Sequence, residues 1–351
     1  MLEWISDANL AALVGLLGGV MLGLSARMGR FCTLGAIEDA LYGASYLRLR
    51  MWGIAIGVAM VGTFSLIGSG ALPAEEAVYL RLSWNPLAST IGGLVFGYGM
   101  ALSGNCGFGA LARLGGGDLR SFVIVLVMGV SAYVAISGPL ARLRVALFPE
   151  TPTDGTLPSF AHGLGHLIGV SPSTIGILVG LSLLVAMLVN SELRRAKKEL
   201  FWGAIAGVAV VTGWGGTAWV LGNGFSPIPL ESHTFSAPIG DTLIFLMTST
   251  GNNLNFGVGS VAGVLLGAFL GSLVRGHFRW EACEDPRELK RQILGAALMG
   301  LGAVVAFGCS VGQGLSAFAL LYYGAPVTFL AIVAGAALGL RHLISGFAIA
   351  E

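Results

Sequence analysis

Charge in this chain is confined to short stretches between long apolar runs, and that spacing constrains the fold more than any other feature. The runs are Leu10 to Ala26, Met51 to Ser69, Leu87 to Ser103, Ser121 to Gly138, Thr174 to Asn190, Phe201 to Trp219, Gly257 to Val274, Gln292 to Phe307 and Pro326 to Leu343. Each approaches the roughly 20 residues a helix needs to cross a bilayer core. Only 11% of the 351 residues are charged, 55% are hydrophobic, and mean hydropathy is +0.83, which excludes a soluble domain. The expected fold is an all-α integral membrane protein of about nine transmembrane helices. Four shorter apolar pieces, Leu34 to Leu47, Gly107 to Leu114, Thr242 to Thr250 and Val311 to Tyr323, are too short or too glycine-broken to cross alone and suit re-entrant half-helices.

Lysine and arginine set the expected orientation. With the N-terminus outside, sixteen of 19 fall on the cytoplasmic side, and only Arg81, Arg142 and Arg144 fall outside. The first apolar run follows Glu3 and Asp7 rather than a basic segment and belongs to an internal repeat, so it is expected to be retained rather than cleaved as a signal peptide.

Glycine is the second anomaly, at 55 residues. In a water-soluble helix each would be destabilising, whereas between membrane helices small residues let backbones approach closely. Pairs four apart, such as Gly53/Gly57, Gly203/Gly207 and Gly335/Gly339, place two glycines on one helix face.

The glycines and cysteines also repeat. One template occurs three times: Gly18, Gly23, Ser25, Cys32, Gly35; then Gly92, Gly97, Gly99, Cys106, Gly109; then Gly295, Gly300, Gly302, Cys309, Gly312, at constant offsets of 74 and 203. In each an apolar helix runs into a loop carrying a thiol, and the glycine three residues later is expected to free the backbone to turn. A fourth copy is expected around Gly213 to Gly224, with no cysteine. The odd number of spans before Phe201 inverts the second half relative to the first. The chain divides into repeat halves 1–172 and 200–351 joined by a connector helix at 173–199, an arrangement characteristic of transporters.

A lone membrane cysteine is ordinarily a packing residue; three at one template position point to a shared task. Cys283, beside Glu281, Glu284 and Asp285, lacks that support and is expected to be an inert loop residue. His162 and His166 have no third ligand nearby in sequence, so neither a metal nor any other cofactor is expected. The glycine runs lack a P-loop's Gly-Lys-Ser/Thr ending, which argues against ATP drive within this chain. Arg27, Arg30 and Arg113 flank the thiol motifs; Arg113 is the best candidate for attracting an anion, against a plain topology-anchoring role. Asn252, with Asn253 and Asn255, either lines a cavity or forms a polar loop. Gly104 and Asn105 before Cys106, and Gly308 before Cys309, complete the candidate transport path.

Gly92-Gly93 through Gly99-Met100 to Cys106, Leu114-Gly115-Gly116-Gly117 after Arg113, Arg30-Phe31-Cys32, and Gly308-Cys309-Ser310-Val311-Gly312-Gln313-Gly314 closely resemble the YeeE/YedE family of sulfur-compound transporters over nearly the whole chain. The resemblance implies thiosulfate uptake across a bacterial inner membrane, nine spans with re-entrant short helices, and three pore cysteines, here Cys32, Cys106 and Cys309. It also implies a small cytoplasmic sulfur-carrier partner of the TusA type, and it admits a selenium compound as substrate. No enzymatic activity is expected. The rival reading is a membrane sulfurtransferase or thiol oxidoreductase that forms a cysteine persulfide. It is disfavoured because no Cys-x-x-Cys pair, histidine or lysine lies within a few residues of Cys106 or Cys309 to lower a thiol pKa.

Overall fold

The computed structural model describes residues 6–153, 155–282 and 285–348; Cys283 lies outside them. In order the helices are α1 (Asp7–Gly29), α2 (Thr33–Leu41), α3 (Leu47–Gly68), α4 (Pro86–Ser103), α5 (Gly107–Gly115), α6 (Leu119–Ile136), α7 (Ala141–Leu147) and α8 (Phe160–Ile168). They continue with α9 (Pro172–Leu188), α10 (Ser191–Arg195), α11 (Lys197–Asn223), α12 (Ala237–Thr248), α13 (Phe256–Val274), α14 (Pro286–Val305) and α15 (Gly324–Ala348). A π-helical turn, Gly312–Ala317, runs into a 3₁₀ turn, Phe318–Leu320, between α14 and α15. Among the described residues the only β pairing is a set of isolated bridges.

Seven segments are long and apolar enough to cross a membrane, or eight if the sharply bent pair α8–α9 forms one span. All nine apolar runs coincide with helices of 17 residues or more. The α14 helix opens on a charged first half, Arg287 to Arg291, and is not among the seven. The four shorter pieces become α2, α5, α12 and the π/3₁₀ segment.

The surface is apolar where a lipid-facing surface should be: Leu17, Leu87, Val185, Leu330 and Leu338 are all exposed. Inside, large side chains such as Trp52, Trp214, Phe64 and Phe96 are fully buried, and glycines mark the closest helix crossings. At the crossing of α4 and α14, a Cβ on Gly99 would stand 2.6 Å from the Gly295 carbonyl oxygen, and one on Gly302 would stand 2.8 Å from that of Gly92. The first template position of each helix therefore rests on the third of the other, so the two copies cross antiparallel. Their second template positions, Gly97 and Gly300, pack on α15 and α6 respectively.

The same exchange runs through the whole packing. Helix α1 packs on α13 as α11 packs on α3, and α4 packs on α15 as α14 packs on α6. Helix α5 sits against α13 and α6, as the π/3₁₀ segment sits against α3 and α15. The α9 helix has no counterpart and leans on α3, where Gly53 and Gly57 meet Met187 and Leu184.

Candidate functional site: three thiols at three helix starts

Each template cysteine is the N-cap of a short helix. Cys32 opens α2 with extended backbone, Cys106 opens α5 likewise, and Cys309 precedes the helical turn that becomes the π segment. Their carbonyls accept the first helical hydrogen bonds, from Ala36 (3.1 Å), Ala110 (2.7 Å) and Gln313 (2.8 Å). The first N–H groups of a helix have no intrahelical partner and carry the positive end of its dipole. All three thiols thus sit where an anion is electrostatically welcome.

Turning is done elsewhere than the template glycine suggests. The residue two before each thiol, Arg30, Gly104 or Phe307, holds left-handed backbone with φ of 58°, 75° and 56°. That residue ends the long helix and redirects the chain, at a strain cost of about 1–2 kcal/mol for a non-glycine residue. Gly35, Gly109 and Gly312 show no positive φ and lie in the first helical turns, which corrects the expectation that they free a turn. Two of them instead meet sulfur: the N–H of Gly109 points at Cys106 Sγ (3.4 Å) and that of Gly312 at Cys309 Sγ (3.4 Å), whereas Cys32 makes no such bond.

Cys106 lies within electrostatic reach of both Cys32 and Cys309, with the Ser310 hydroxyl beside its sulfur. Cys106 and Cys309 are fully buried, while Cys32 is partly exposed. Cys309 Sγ also accepts from the backbone N–H of Phe235 (3.4 Å) and lies 3.6 Å from Thr234 Oγ1. Beside the thiols stand buried polar atoms with no hydrogen-bond partner: Thr33 Oγ1, Asn105 Oδ1 and Gln313 Oε1. An unmade buried hydrogen bond costs about 1–3 kcal/mol, and three such atoms lie next to the thiol positions.

Two recesses flank this line. A cavity of about 320 Å³ lies beside Cys309, lined by Tyr79, Arg144, Glu231, Thr234, Ser236 and Gly308 among others. The second, of about 240 Å³, lies at the far end of α5 from Cys106 and is lined by Arg27, Arg113, Asp118, Arg120, His277 and Glu281.

The structure treats the other candidates unequally. Arg113 is exposed in the last turn of α5 and donates to the Gly104 carbonyl (3.3 Å), tying its charge to the turn before Cys106. Gly104 is the left-handed cap of α4, Asn105 is 2% exposed, and Gly308 lines the larger cavity. Asn252 is not brought to the thiols. It lies in the exposed turn after α12, bonded to Thr248 Oγ1 (2.6 Å), while Asn255 caps α13; of the two readings open for this trio, the polar loop fits.

The fourth copy also shifts. Helix α11 continues unbroken to Asn223, and the break falls at 224–236, ahead of α12. That longer loop reaches back so that Thr234 and Phe235 touch Cys309. Sequence reasoning missed both, together with Tyr79, Glu231 and Ser310. The signal available was the missing thiol itself, since a degenerate copy of a repeat is where another element takes over.

Residues 28–338 match a family model described as sulphur transport. The chain belongs to this family. It is 28% identical over 334 residues to a thiosulfate transporter, TsuA, of Escherichia coli (strain K12), covering 92% of each chain. It is 27% identical over 329 residues to a thiosulfate transporter, TsuA, of Spirochaeta thermophila, covering 90% of this chain and 95% of that one. The resemblance to YeeE/YedE proteins read from the thiol motifs is thereby established, and with it a multi-pass membrane protein that transports a sulfur compound.

Proposed function

We propose that this protein imports thiosulfate across a bacterial inner membrane by passing the intact ion between Cys309, Cys106 and Cys32. The observation that carries the proposal is the set of three thiols, each at the positive end of a helix, with Cys106 within electrostatic reach of the other two. The names of the two relatives supply the substrate. Moving a bare dianion into a low-dielectric core would cost tens of kcal/mol. A path must therefore offer donors while holding the ion weakly enough to release it. Protonated thiols are weak donors, and the helix starts supply the remaining favourable potential.

The direction of passage follows from N-out, C-in topology. The cavity beside Cys309 then faces outside, and the recess with Arg27 and Arg113 faces the cytoplasm, where a TusA-type carrier would receive sulfur. The reciprocal packing of α1–α6 against α11–α15 supports two inverted halves, 1–172 and 200–351, joined by 173–199. Residues Gly104, Asn105, Gly308 and Arg113 shape the path between the thiols.

The test is uptake of labelled thiosulfate in cells lacking other importers, at matched expression. Cys106→Ala is expected to abolish uptake, and Cys32→Ala or Cys309→Ala to impair it strongly. Full uptake by Cys106→Ala would remove the thiol line from the mechanism.

A further inference from the structure

The larger cavity contains something an anion entrance should not: carboxylates without cationic partners. Arg144 is the cation lining it, and Arg144 is already engaged, through an ion pair with Glu150 and a hydrogen bond to the Ala135 carbonyl (3.1 Å). Glu231 and Asp241 line the same space, and among the described residues neither takes part in an ion pair. Asp241 accepts a hydrogen bond from the Tyr133 hydroxyl. The Glu231 carboxylate faces Asp241 from α12 and Tyr79 from the segment before α4, and shares the cavity with Arg144 and Glu150. Its backbone carbonyl is pinned by the Thr217 hydroxyl of α11 (2.8 Å), and the α14 residues lining the cavity, Ala303 and Val304, are uncharged. A second feature of the same wall points to a ligand: Ser236, only 3% exposed, has a hydroxyl with no hydrogen-bond partner.

As charged groups these carboxylates would repel the anion from the cavity that leads to Cys309. Protonated, a carboxyl becomes a hydrogen-bond donor. We propose that this cavity is a proton-linked receiving site, in which a small divalent oxyanion binds together with a proton on Glu231, with the Ser236 and Thr234 hydroxyls as further donors. The inference rests on reading the chain as an anion importer. It deepens that reading by making a proton part of the bound ligand.

Burial and the neighbouring Asp241 charge push the Glu231 carboxyl up to about 7, so near neutral pH the site is poised between its two forms. A dianion beside it favours the protonated form further. Binding above pH 7 therefore takes up a proton. By linkage, affinity is level below about pH 7 and falls as pH rises above it, with a limiting slope of about tenfold per pH unit for one linked proton.

The experiment is calorimetric titration of the purified full chain with thiosulfate at pH 8, in buffers of different ionisation enthalpy, which counts protons taken up per anion. The expected result is about one proton per anion for the native protein. Glu231→Gln is expected to take up none and to bind with an affinity that no longer depends on pH. The proton count of the native protein decides the matter even if that variant folds poorly. No proton uptake by the native protein, uptake retained in a folded Glu231→Gln, or a requirement for sodium in place of the proton would each overturn the assignment. Counterflow of labelled thiosulfate in proteoliposomes separates the two levels of inference. Exchange without proton uptake sinks only the proton site, whereas neither exchange nor binding sinks the importer reading itself.

Discussion

The crossing of α4 and α14 joins the two buried thiols mechanically, because α4 runs into the Cys106 turn and α14 into the Cys309 turn. Replacing Gly99 by alanine places a Cβ 2.6 Å from the Gly295 carbonyl oxygen and 2.8 Å from the Met299 nitrogen. Ordinary van der Waals contact begins at 3.4 Å, so the shortfall to the oxygen is 0.8 Å. Both obstructing atoms are backbone, and neither can swing aside; the helices must separate. Overpacking of this kind costs about 1–3 kcal/mol, and the separation is passed on to the distance between Cys106 and Cys309. Gly99→Ala is expected to lower the thermal unfolding midpoint of the detergent-solubilised protein and to cut thiosulfate uptake severalfold at matched expression. Gly222→Ala is the control. Nothing lies within 4 Å of a Cβ there, and alanine in an exposed helical position is stabilising by about 0.5–1 kcal/mol. If Gly99→Ala melts and transports like the native protein, the close crossing does not set the spacing of the thiols.

Arg113→Gln should weaken uptake more than Arg194→Gln, since Arg113 holds the turn before Cys106 while Arg194 is exposed at the end of α10; Arg113→Lys should recover part of the loss, and equal effects at both positions would reduce Arg113 to a topology anchor. Arg30→Gly should stabilise the protein by about 1 kcal/mol, because it relieves left-handed backbone at an exposed position; a lowered melting temperature would show that the arginine side chain contributes more than its backbone costs.

Much of the framework was readable from the sequence because it rests on local patterns. Apolar length alone locates every long helix, and the offsets of 74 and 203 single out the three thiols. What the sequence misjudged lay in geometry between distant segments. The template glycine three residues after each thiol looked like the turning residue, yet the turn falls at Arg30 and Phe307, residue types that carry no left-handed signal. Arg144 looked like a plain outer-loop charge, and only the fold brings it into the cavity beside Cys309 with Glu231 and Asp241. For Asn252 the sequence leaves cavity lining and polar loop open, because depth is set by where α12 ends; the structure ends α12 before it and leaves it exposed. A fourth copy is expected after the sixth span, around Gly213 to Gly224, but α11 runs on to Asn223 and the contacts to Cys309 come from Thr234 and Phe235 in the loop beyond.

The central claim is that the ion crosses intact, and labelling the two sulfurs of thiosulfate differently tests it most directly. A relay of neutral thiols leaves the sulfur–sulfur bond unbroken, whereas attack by a thiolate on the outer sulfur would cleave it and leave a persulfide. Purified protein in liposomes, with no carrier protein or reductant present, is expected to deliver both labels to the lumen at a one-to-one ratio, with Cys32, Cys106 and Cys309 free of persulfide by mass spectrometry. Entry of the outer sulfur alone, together with a persulfide on Cys106, would contradict the account and make the protein a sulfurtransferase.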